Sequence, residues 1–281
     1  MDDGEWHERE ELLRADTACR KELGWNTDIA HVAQPWSLPK EEVTHTVRLR
    51  WHIQSEIEYE GAKLAIERID MVSLLWNGEK VDNVPNGWFT DKSIKTVALP
   101  KIRKGDNLLE AVVPISKRIT VEWAYILGDF GVEVYGKNAR IISKPKELAF
   151  GDITRQGLPF YSGNIVYHIP IATKEGILSV RSNQYIGAMQ EVNVDGNAYV
   201  PNLYPPYIAE LGEVKEGTHL VNMKLYGTRI NSFGALHLAD AEETNFSPSA
   251  YRTKDDRWCY EYKIREMGVL TTPEIIIKGG H

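Results

Sequence analysis

The sequence VSLLWNG, at positions 72 to 78, decides the fold because it contains a strand and the turn that ends it. Val72, Leu74 and Trp76 are apolar at every second position, which is typical of a strand with one buried face. Asn77-Gly78 predicts a two-residue hairpin turn, since both central residues of that turn take positive φ. The stretch therefore predicts antiparallel β-structure.

The same period of two recurs along the chain between short turn signals. It begins with Val47, Leu49, Trp51 and Ile53, which alternate with polar residues. Further strands of the first half are predicted at Ile94 to Leu99, Leu108 to Ile115, Thr120 to Ile126 and Val132 to Val134. The alternating apolar residues of the second half are Ile165, Tyr167, Ile169, Val192, Val194, Val221, Met223 and Leu225. This spacing favours antiparallel sandwiches over a βαβ sheet.

Two phrases of the sequence echo each other, VALPKIRKGDNLLEAVV at 97–113 and YIAELGEVKEGTHLVNMKLYG at 207–227. In both, an apolar strand leads through a turn centred on glycine, Gly105 or Gly217, into an alternating strand. An Asn-Gly or Asp-Gly turn precedes each phrase, the second being Asp195-Gly196. Two sandwiches of related topology would produce this pattern, although similar turn chemistry alone would produce it too.

The N-terminal region has a different period. Leu12, Ala15, Cys19 and Leu23 recur at helical spacing, and Gly24 follows where a helix stop is expected. After this helix comes a proline-containing strap whose Trp36 is expected to pin it to a domain surface. The predicted domains are 1–43 (helix and strap), 44–145 (first β-sandwich) and 146–281 (second β-sandwich), with a junction at 143–151 rich in proline and glycine.

Composition narrows the classes of function. The 281 residues carry a net charge of -7 and are 42% hydrophobic, the make-up of a globular protein without a basic face for nucleic acid. The chain shows no apolar run of membrane-spanning length and no signal peptide. We therefore expect no membrane partner and a cytoplasmic location, or secretion if the chain is an excised fragment. Cys19 and Cys259 are predicted to be buried thiols.

The stretch LAIERIDMVSLLWNGEKVDNVPNGWFTDKSIKTVALPKIRKGDNLLEAVV resembles the sugar-binding β-sandwich of glycoside hydrolase family two, which has a galactose-binding-domain-like jelly-roll fold. The family's Asn-Gly turn, GW(Y/F)xD excursion and LPxLxxGxNxL strand pair correspond to Asn77-Gly78, Gly87 to Asp91 and Leu99 to Leu108. Later segments, AYILGDFGV, GLPFYSGNIVYHIPI, LYGTRINSFGALH and SAYRTKDDRWCYEYKI, are similar to the C-terminal region of large bacterial rhamnosidase-like glycosidases. The resemblance covers roughly Thr44 to Ile277.

The resemblance implies a carbohydrate-binding or accessory part of a bacterial glycosidase. Such enzymes carry their catalytic residues on a separate domain, usually a barrel of about 250 residues, for which this chain has no room. The implied partners are a carbohydrate and that catalytic domain, and the resemblance allows a structural calcium held by loop oxygens. We expect no catalytic activity in this chain.

Sugar recognition combines aromatic rings, which stack on the C–H face of a pyranose, with polar groups for the hydroxyls. The candidate ligand-binding residues are Trp88, Asp91, Tyr161, Tyr185, Tyr226, Arg229, Asn231 and His237. The alternatives are that Trp88 and Phe89 plug the end of a sandwich and that Arg229 and Asn231 anchor a loop.

Two further interpretations remain open at this level. The chain could be a structural or interaction module that packs on a catalytic domain or subunit. It could also be a glycosidase that uses facing acids, because glycoside hydrolysis needs two carboxylates across a cleft. The acids considered are Glu67 with Asp70, Asp129 with Glu133, Asp152, and Asp255 with Asp256. A metal pair of His45 and His52 on neighbouring strands is disfavoured.

Overall fold

The structure is a computed structural model that describes residues 4–27, 34–40, 42–240, 251 and 255–279. It is 42% strand and 11% helical, which confirms the prediction of a mainly β protein with an N-terminal helix. The helices are α1 (Leu12–Glu22) and α2 (Ile230–Phe233), with 3₁₀-helices at Pro35–Ser37, Ile69–Met71, Ile153–Gln156 and Asp255–Arg257. None of the helices described is long and apolar enough to cross a membrane.

Ten strands lie in the first half of the chain. They are β1 (His45–Ser55), β2 (Lys63–Glu67), β3 (Ser73–Trp76), β4 (Glu79–Lys80), β5 (Gly87–Phe89), β6 (Asp91–Ala98), β7 (Gly105–Ile115), β8 (Tyr125–Leu127), β9 (Gly131–Tyr135) and β10 (Asn138–Ile142). They form two sheets of order β4-β3-β7-β1-β10-β9 and β5-β6-β2-β8. Residues of both sheets share one core, which includes Leu64, Leu74, Trp76, Val97 and Leu109. Two sheets that face each other across a common core form a β-sandwich.

The second half repeats this construction. Its strands are β11 (Ile165–Thr173), β12 (Gly176–Arg181), β13 (Tyr185–Ile186), β14 (Met189–Val194), β15 (Val200–Asn202), β16 (Ile208–Val214), β17 (Gly217–Tyr226), β18 (Gly268–Val269) and β19 (Glu274–Lys278). The two main sheets have the orders β11-β17-β14-β15 and β16-β12-β19, and β13 pairs with β18. Their inner residues form a second core that includes Leu178, Val192, Ala209, Met223 and Leu225.

The chain passes between two compact units more than once. The first unit comprises Met1–Lys144 and His237–Lys263, and the second comprises Pro145–Leu236 and Ile264–His281. The first division, after Lys144, falls within the predicted junction. The range 146–281 expected for the second sandwich differs from this division, because 237–263 belongs to the first unit. There Tyr262 donates its backbone N–H to the carbonyl of Gly136.

The two units have the same strand order when their strands are matched along the chain. The order β4-β3-β7-β1 in the first unit corresponds to β15-β14-β17-β11 in the second. Likewise, β6-β2-β8 corresponds to β16-β12-β19, and every one of these pairings is antiparallel. In both echoing phrases the glycine-centred turn carries the chain from one sheet of the sandwich to the other.

The match extends to individual hydrogen bonds at the hairpin turn. Asn77 (φ 50°) and Asp195 (φ 52°) take the left-handed conformation, and each is followed by a glycine with positive φ. Oδ1 of Asn77 accepts from the backbone N–H of Leu108 at 2.8 Å, and Oδ1 of Asp195 accepts from that of Leu220 at 2.8 Å. Each turn residue also donates its own backbone N–H to the carbonyl of the same leucine.

The residue before each of these leucines completes what we call the turn latch. In the first unit, Nδ2 of Asn107 donates to the carbonyl of Arg103 at 2.7 Å, and its Oδ1 accepts from Nδ2 of Asn77 at 3.2 Å. In the second unit, His219 occupies the equivalent position. Its Nδ1 lies 2.6 Å from Oδ2 of Asp195, and its Nε2 lies 2.9 Å from the carbonyl of Lys215, four residues earlier.

Helix α1 is attached to the first sandwich by a buried ion pair. Nε of Arg20 donates to Oδ2 of Asp16 at 2.9 Å, and both side chains are almost wholly buried. The guanidinium also reaches the carbonyls of Ser116 and Ile119, while Oδ1 of Asp16 accepts from the N–H of Val121. The predicted helix is confirmed, but its buried positions are Leu13, Asp16 and Arg20 rather than the predicted Leu12, Ala15, Cys19 and Leu23.

Two local predictions fail for identifiable reasons. Thr120 to Ile126 was expected to be a strand, yet β8 begins only at Tyr125, since the N–H of Val121 is bonded to the Asp16 carboxylate instead of a neighbouring strand. Trp36 does not pin the strap, because it is 69% exposed. The strap is held instead by Arg118, whose Nε donates to the carbonyl of Pro35 at 3.0 Å.

Removing the cation of the buried pair should destabilise the protein strongly. We expect Arg20→Met to lower the free energy of unfolding by about 3–5 kcal/mol, because the Asp16 carboxylate loses its buried counter-ion. Urea-induced unfolding measures this loss. Lys21→Met is the matched control, since Lys21 is exposed on the same helix, and its effect should stay below about 1 kcal/mol. Equal effects of the two substitutions would contradict an anchoring role for the pair.

The latch of the second unit should depend on pH. Hydrogen bonds to Asp195 and to the Lys215 carbonyl raise the pKa of His219 above its ordinary 6.5. The His219 and Leu220 hydrogen bonds lower the pKa of Asp195 below 3.8. His219 contributes fully to the free energy of unfolding below pH 6.5, and this contribution is lost as the pH rises through its folded pKa. Asp195 contributes above pH 3.8, and its contribution is lost as the pH falls through its folded pKa. Stabilisation by the pair is therefore largest between these values.

This dependence is measurable with one substitution and one control. We expect His219→Gln to lower the urea midpoint more at pH 5 than at pH 9. Asn107→Ala, at the equivalent position of the first unit, should lower it equally at both values because an amide does not titrate. A His219→Gln effect that is the same at pH 5 and pH 9 would show that the charged form of His219 does not stabilise the latch.

Candidate functional site

The sheet β11-β17-β14-β15 of the second unit presents a polar face to solvent. Alternate residues of a strand point to opposite faces, and Val221, Met223 and Leu225 of β17 are buried in the core. The outward residues of three strands lie side by side in register: Val166 and His168 on β11, Asn222 and Lys224 on β17, and Asn193 and Glu191 on β14. We call this surface, with Tyr226 at the end of β17 and Tyr199 just before β15, the outer face.

One hydrogen-bonded row crosses three strands of the outer face. Nδ1 of His168 lies 2.6 Å from Oδ1 of Asn222, whose Nδ2 donates to Oδ1 of Asn193 at 2.9 Å. Because Asn193 uses its oxygen in this row, its Nδ2 remains as a donor, and the described residues include no acceptor for it. Asn193 is only 4% exposed, so its neighbours fix this amide in one orientation. The row therefore ends in a preorganised N–H donor.

A second cluster lies beside that row. Oη of Tyr226 donates to Oε1 of Glu191 at 2.7 Å and accepts from Nζ of Lys224 at 2.7 Å. Lys224 and Glu191 also form an ion pair of 3.2 Å. The hydrogen bonds to Tyr226 and then to Glu191 raise the pKa of Lys224. The ammonium therefore stays charged at neutral pH, with its charge balanced by the adjacent carboxylate.

Two aromatic rings lie close to this cluster. Nζ of Lys224 lies 4.3 Å from the ring centroid of Tyr226 and 5.7 Å from that of Tyr199. Tyr199 is 36% exposed, so part of its ring is accessible to a ligand. The outer face thus combines the accessible ring of Tyr199 and the half-buried ring of Tyr226 with fixed hydrogen-bonding groups.

The equivalent sheet of the first unit has a different outer surface. Arg50 pairs with Glu110 at 2.7 Å, and Nδ1 of His52 lies 3.0 Å from Oδ2 of Asp106, in a ladder of polar groups. The ring of Trp6, from the N-terminal segment, lies 3.8 Å from the Arg50 guanidinium carbon. Its own chain therefore covers part of this surface, and the Arg50 charge is matched by Glu110 on the neighbouring strand. We take the outer face of the second unit as the better candidate for a ligand site.

Among the predicted residues of the second unit, Tyr226 belongs to the outer face. The loop that contains Tyr161 lies close to the end of β17. The backbone of Gly227 is so near this loop that an added Cβ atom would lie 2.3 Å from the carbonyl oxygen of Gly163. Arg229 is exposed at the start of α2, and the described residues offer its side chain no partner. Tyr185 packs edge-on against Tyr207 at 5.7 Å, and burial raises its pKa.

Asn231 differs from these residues, since it is buried and both ends of its amide are used. Its Nδ2 donates to the carbonyl of Arg265 at 2.7 Å, and its Oδ1 accepts from the Arg265 N–H at 2.9 Å. This pairing joins α2 to the segment that leads into β18. The geometry therefore favours the anchoring alternative for Asn231.

The remaining predicted residues, Trp88, Asp91 and His237, belong to the first unit. Trp88 is exposed on the edge strand β5, so it does not plug the sandwich. Asp91 accepts from the backbone N–H and Oγ of Ser93, and these bonds lower its pKa. His237 lies 3.2 Å from the carbonyl of Cys259 and packs among aromatic rings. These three residues do not join the outer face.

Three of the acids considered for catalysis, Asp152, Asp129 and Glu133, have structural partners. Asp152 caps the 3₁₀-helix Ile153–Gln156 and also accepts from the backbone N–H of Met267. Asp129 pairs with Lys144 at 2.6 Å, and Glu133 pairs with Arg140. Such pairs are typical of solvated surfaces.

Metal-binding geometry is not evident in the described part of the chain. No group of three or more His, Cys, Asp or Glu side chains lies together there. His45 and His52 lie on one strand, β1, rather than on neighbouring strands, and an odd separation of seven residues points them to opposite faces. Cys19 and Cys259 are free thiols, as expected, but each is only partly buried. Burial raises the pKa of both.

Sequence reasoning missed most of the outer face. The alternation in β14 and β17 already placed Glu191, Asn193, Asn222 and Lys224 on the side opposite the core. Their assembly depends on β17 lying between β11 and β14, which are distant in sequence. A register derived from the Asn-Gly and Asp-Gly turns could have aligned them.

Comparison with known protein families and with characterised protein sequences found no match. The resemblance to sugar-binding sandwiches of glycosidases therefore stays a prediction.

Substitution of Asn231 tests its assignment as an anchor. We expect Asn231→Ala to lower the free energy of unfolding by about 1–3 kcal/mol, because the N–H and carbonyl of Arg265 lose their partners. Arg229→Ala, two residues away on the surface, should change it by no more than about 0.5 kcal/mol. Urea-induced unfolding compares the two. If Asn231→Ala keeps full stability and instead loses a ligand, Asn231 belongs to a binding site.

Proposed function

We propose that this chain is the carbohydrate-binding, non-catalytic accessory portion of a bacterial glycoside hydrolase. The outer face of the second unit is the observation that supports this proposal most strongly. Tyr199 and Tyr226 offer ring surfaces, and the amide of Asn193 offers a fixed donor for a hydroxyl. Sugars need this combination, since they present apolar C–H faces and a rim of hydroxyl groups.

The polar groups of the outer face are held in position by their own hydrogen bonds. Lys224, Glu191 and Tyr226 hold one another through short hydrogen bonds, so they are preorganised. Binding then requires little further ordering of long side chains, which is a major cost of association. A sheet built on a packed core supports such a site better than a mobile loop does.

The second proposal, an interaction module that packs on a catalytic domain, has its own supporting observation. Tyr204 lies in the turn between β15 and β16 and is 79% exposed, and the neighbouring Leu203 is also exposed. Large apolar groups at such positions are common in protein interfaces. The two proposals are compatible, because the catalytic domain and the sugar would use different residues.

A binding experiment tests the carbohydrate proposal. Calorimetric titration of the whole chain with neutral mono- and oligosaccharides of glucose, galactose, mannose, xylose and rhamnose should detect at least one ligand. We expect Tyr199→Ala to weaken the tightest of these about fivefold, because a ring contact contributes about 1 kcal/mol.

The control for this variant is Tyr135→Ala. Tyr135 is 46% exposed but lies in the first unit, so its removal should leave sugar affinity unchanged. Circular dichroism of both variants checks that the fold is retained. Absence of binding to every sugar in the panel would refute the carbohydrate proposal and leave the interaction module as the better one.

A further inference from the structure

The arrangement of Tyr199, Lys224 and Tyr226 limits the length of a ligand on the outer face. Tyr199 precedes β15 and Tyr226 ends β17, and β14 lies between these strands. Two strand spacings separate the two backbone positions by about 10 Å across the sheet. The register also offsets them along the strands, because Tyr226 pairs with Met189 whereas Tyr199 precedes Val200, the partner of Val192. The ring centroids are no farther apart than about 10 Å, since each lies close to the same ammonium group.

A single sugar ring cannot stack on both tyrosines. The strand register places Lys224 at the level of Glu191, between the levels of Tyr226 and Tyr199 along the sheet, and its ammonium lies 4.3 Å from the first ring centroid and 5.7 Å from the second. This ammonium is held in place by Tyr226 and Glu191, so a ligand does not displace it without breaking short hydrogen bonds. Each ring therefore receives its own sugar residue, and the linkage between the residues crosses above Lys224.

The charges of the outer face restrict the ligand further. The ammonium of Lys224 is already balanced by the carboxylate of Glu191, whose side chain is only slightly exposed. Asp195 adds another carboxylate at the end of β14, where His219 is its partner. The described residues of this face present no uncompensated cation to a ligand carboxylate. An acidic sugar would meet carboxylates without gaining an ion pair.

The fixed donor lies on the Tyr199 side. Asn193 is the next residue after Glu191 on the same face of β14. Its Nδ2 has no acceptor among the residues described. A hydroxyl of the sugar stacked on Tyr199 can accept from this amide. This amide adds specificity to the sugar position on Tyr199. The sugar position on Tyr226 is served by the Lys224 ammonium and the Tyr226 hydroxyl.

We propose that the outer face binds a neutral oligosaccharide of at least two residues, with one residue on Tyr226 and the next on Tyr199. This inference rests on the proposed carbohydrate-binding function and specifies its ligand class. It excludes a pocket for a single monosaccharide and a site for polyuronates.

A length series tests the proposal on the full chain. Calorimetry with the mono-, di-, tri- and tetrasaccharide of the neutral sugar that binds best should show at least a tenfold gain in affinity from one residue to two or three. Tyr199→Ala should abolish most of this gain and leave monosaccharide affinity within about twofold of the parent protein. Tyr135→Ala should keep the whole gain. The uronate counterpart of the best trisaccharide should bind at least tenfold more weakly.

The outcomes separate this inference from the function on which it rests. A monosaccharide that binds as tightly as its trisaccharide would overturn the two-residue site while carbohydrate binding stands. Tighter binding of the uronate would overturn the neutral ligand class alone. If Tyr199→Ala leaves the length dependence intact, the second sugar residue lies elsewhere and the placement is wrong. No binding to any sugar would remove the proposed function and the inference together.

Discussion

Both sandwiches depend on the turn latch. This set of hydrogen bonds ties the hairpin turn to the long neighbouring strand, which is β7 in the first unit and β17 in the second. Asn77 and Asp195 occupy a left-handed position and accept from the backbone of Leu108 and Leu220. This contact sets the register of β3 on β7 and of β14 on β17. A slip of one residue would turn the buried side chains of those strands to solvent. The latch thus decides which residues enter the core and which reach the outer face.

The two versions of the latch show how one geometry accepts different chemistry. The first unit uses two amides, Asn77 and Asn107, whereas the second uses a carboxylate and an imidazole, Asp195 and His219. In both, the side chain before the leucine also reaches the carbonyl four residues earlier. The conserved element within this molecule is the pattern of donors and acceptors rather than the residue type.

Local sequence signals predicted the strands and turns well because their causes are local. The alternation around Trp76 and the positive φ at Asn77-Gly78 follow from neighbouring residues alone. Buried polar contacts were not predictable in this way. Asp16 and Arg20 look like surface residues of an amphipathic helix, and only the distant carbonyls of Ser116 and Ile119 make their burial favourable. The outer face was missed for the same reason, since its members come from strands that pair across long sequence separations.

The return of His237–Lys263 to the first unit has a consequence for biosynthesis. After the ribosome has added Lys144, it must add more than a hundred further residues before the first unit is complete. At usual elongation rates this delay is roughly 6 to 24 seconds. During that time the nascent first sandwich lacks part of its surface covering, and most of the second is made in the interval. Synthesis of the two units is therefore interleaved during translation rather than sequential.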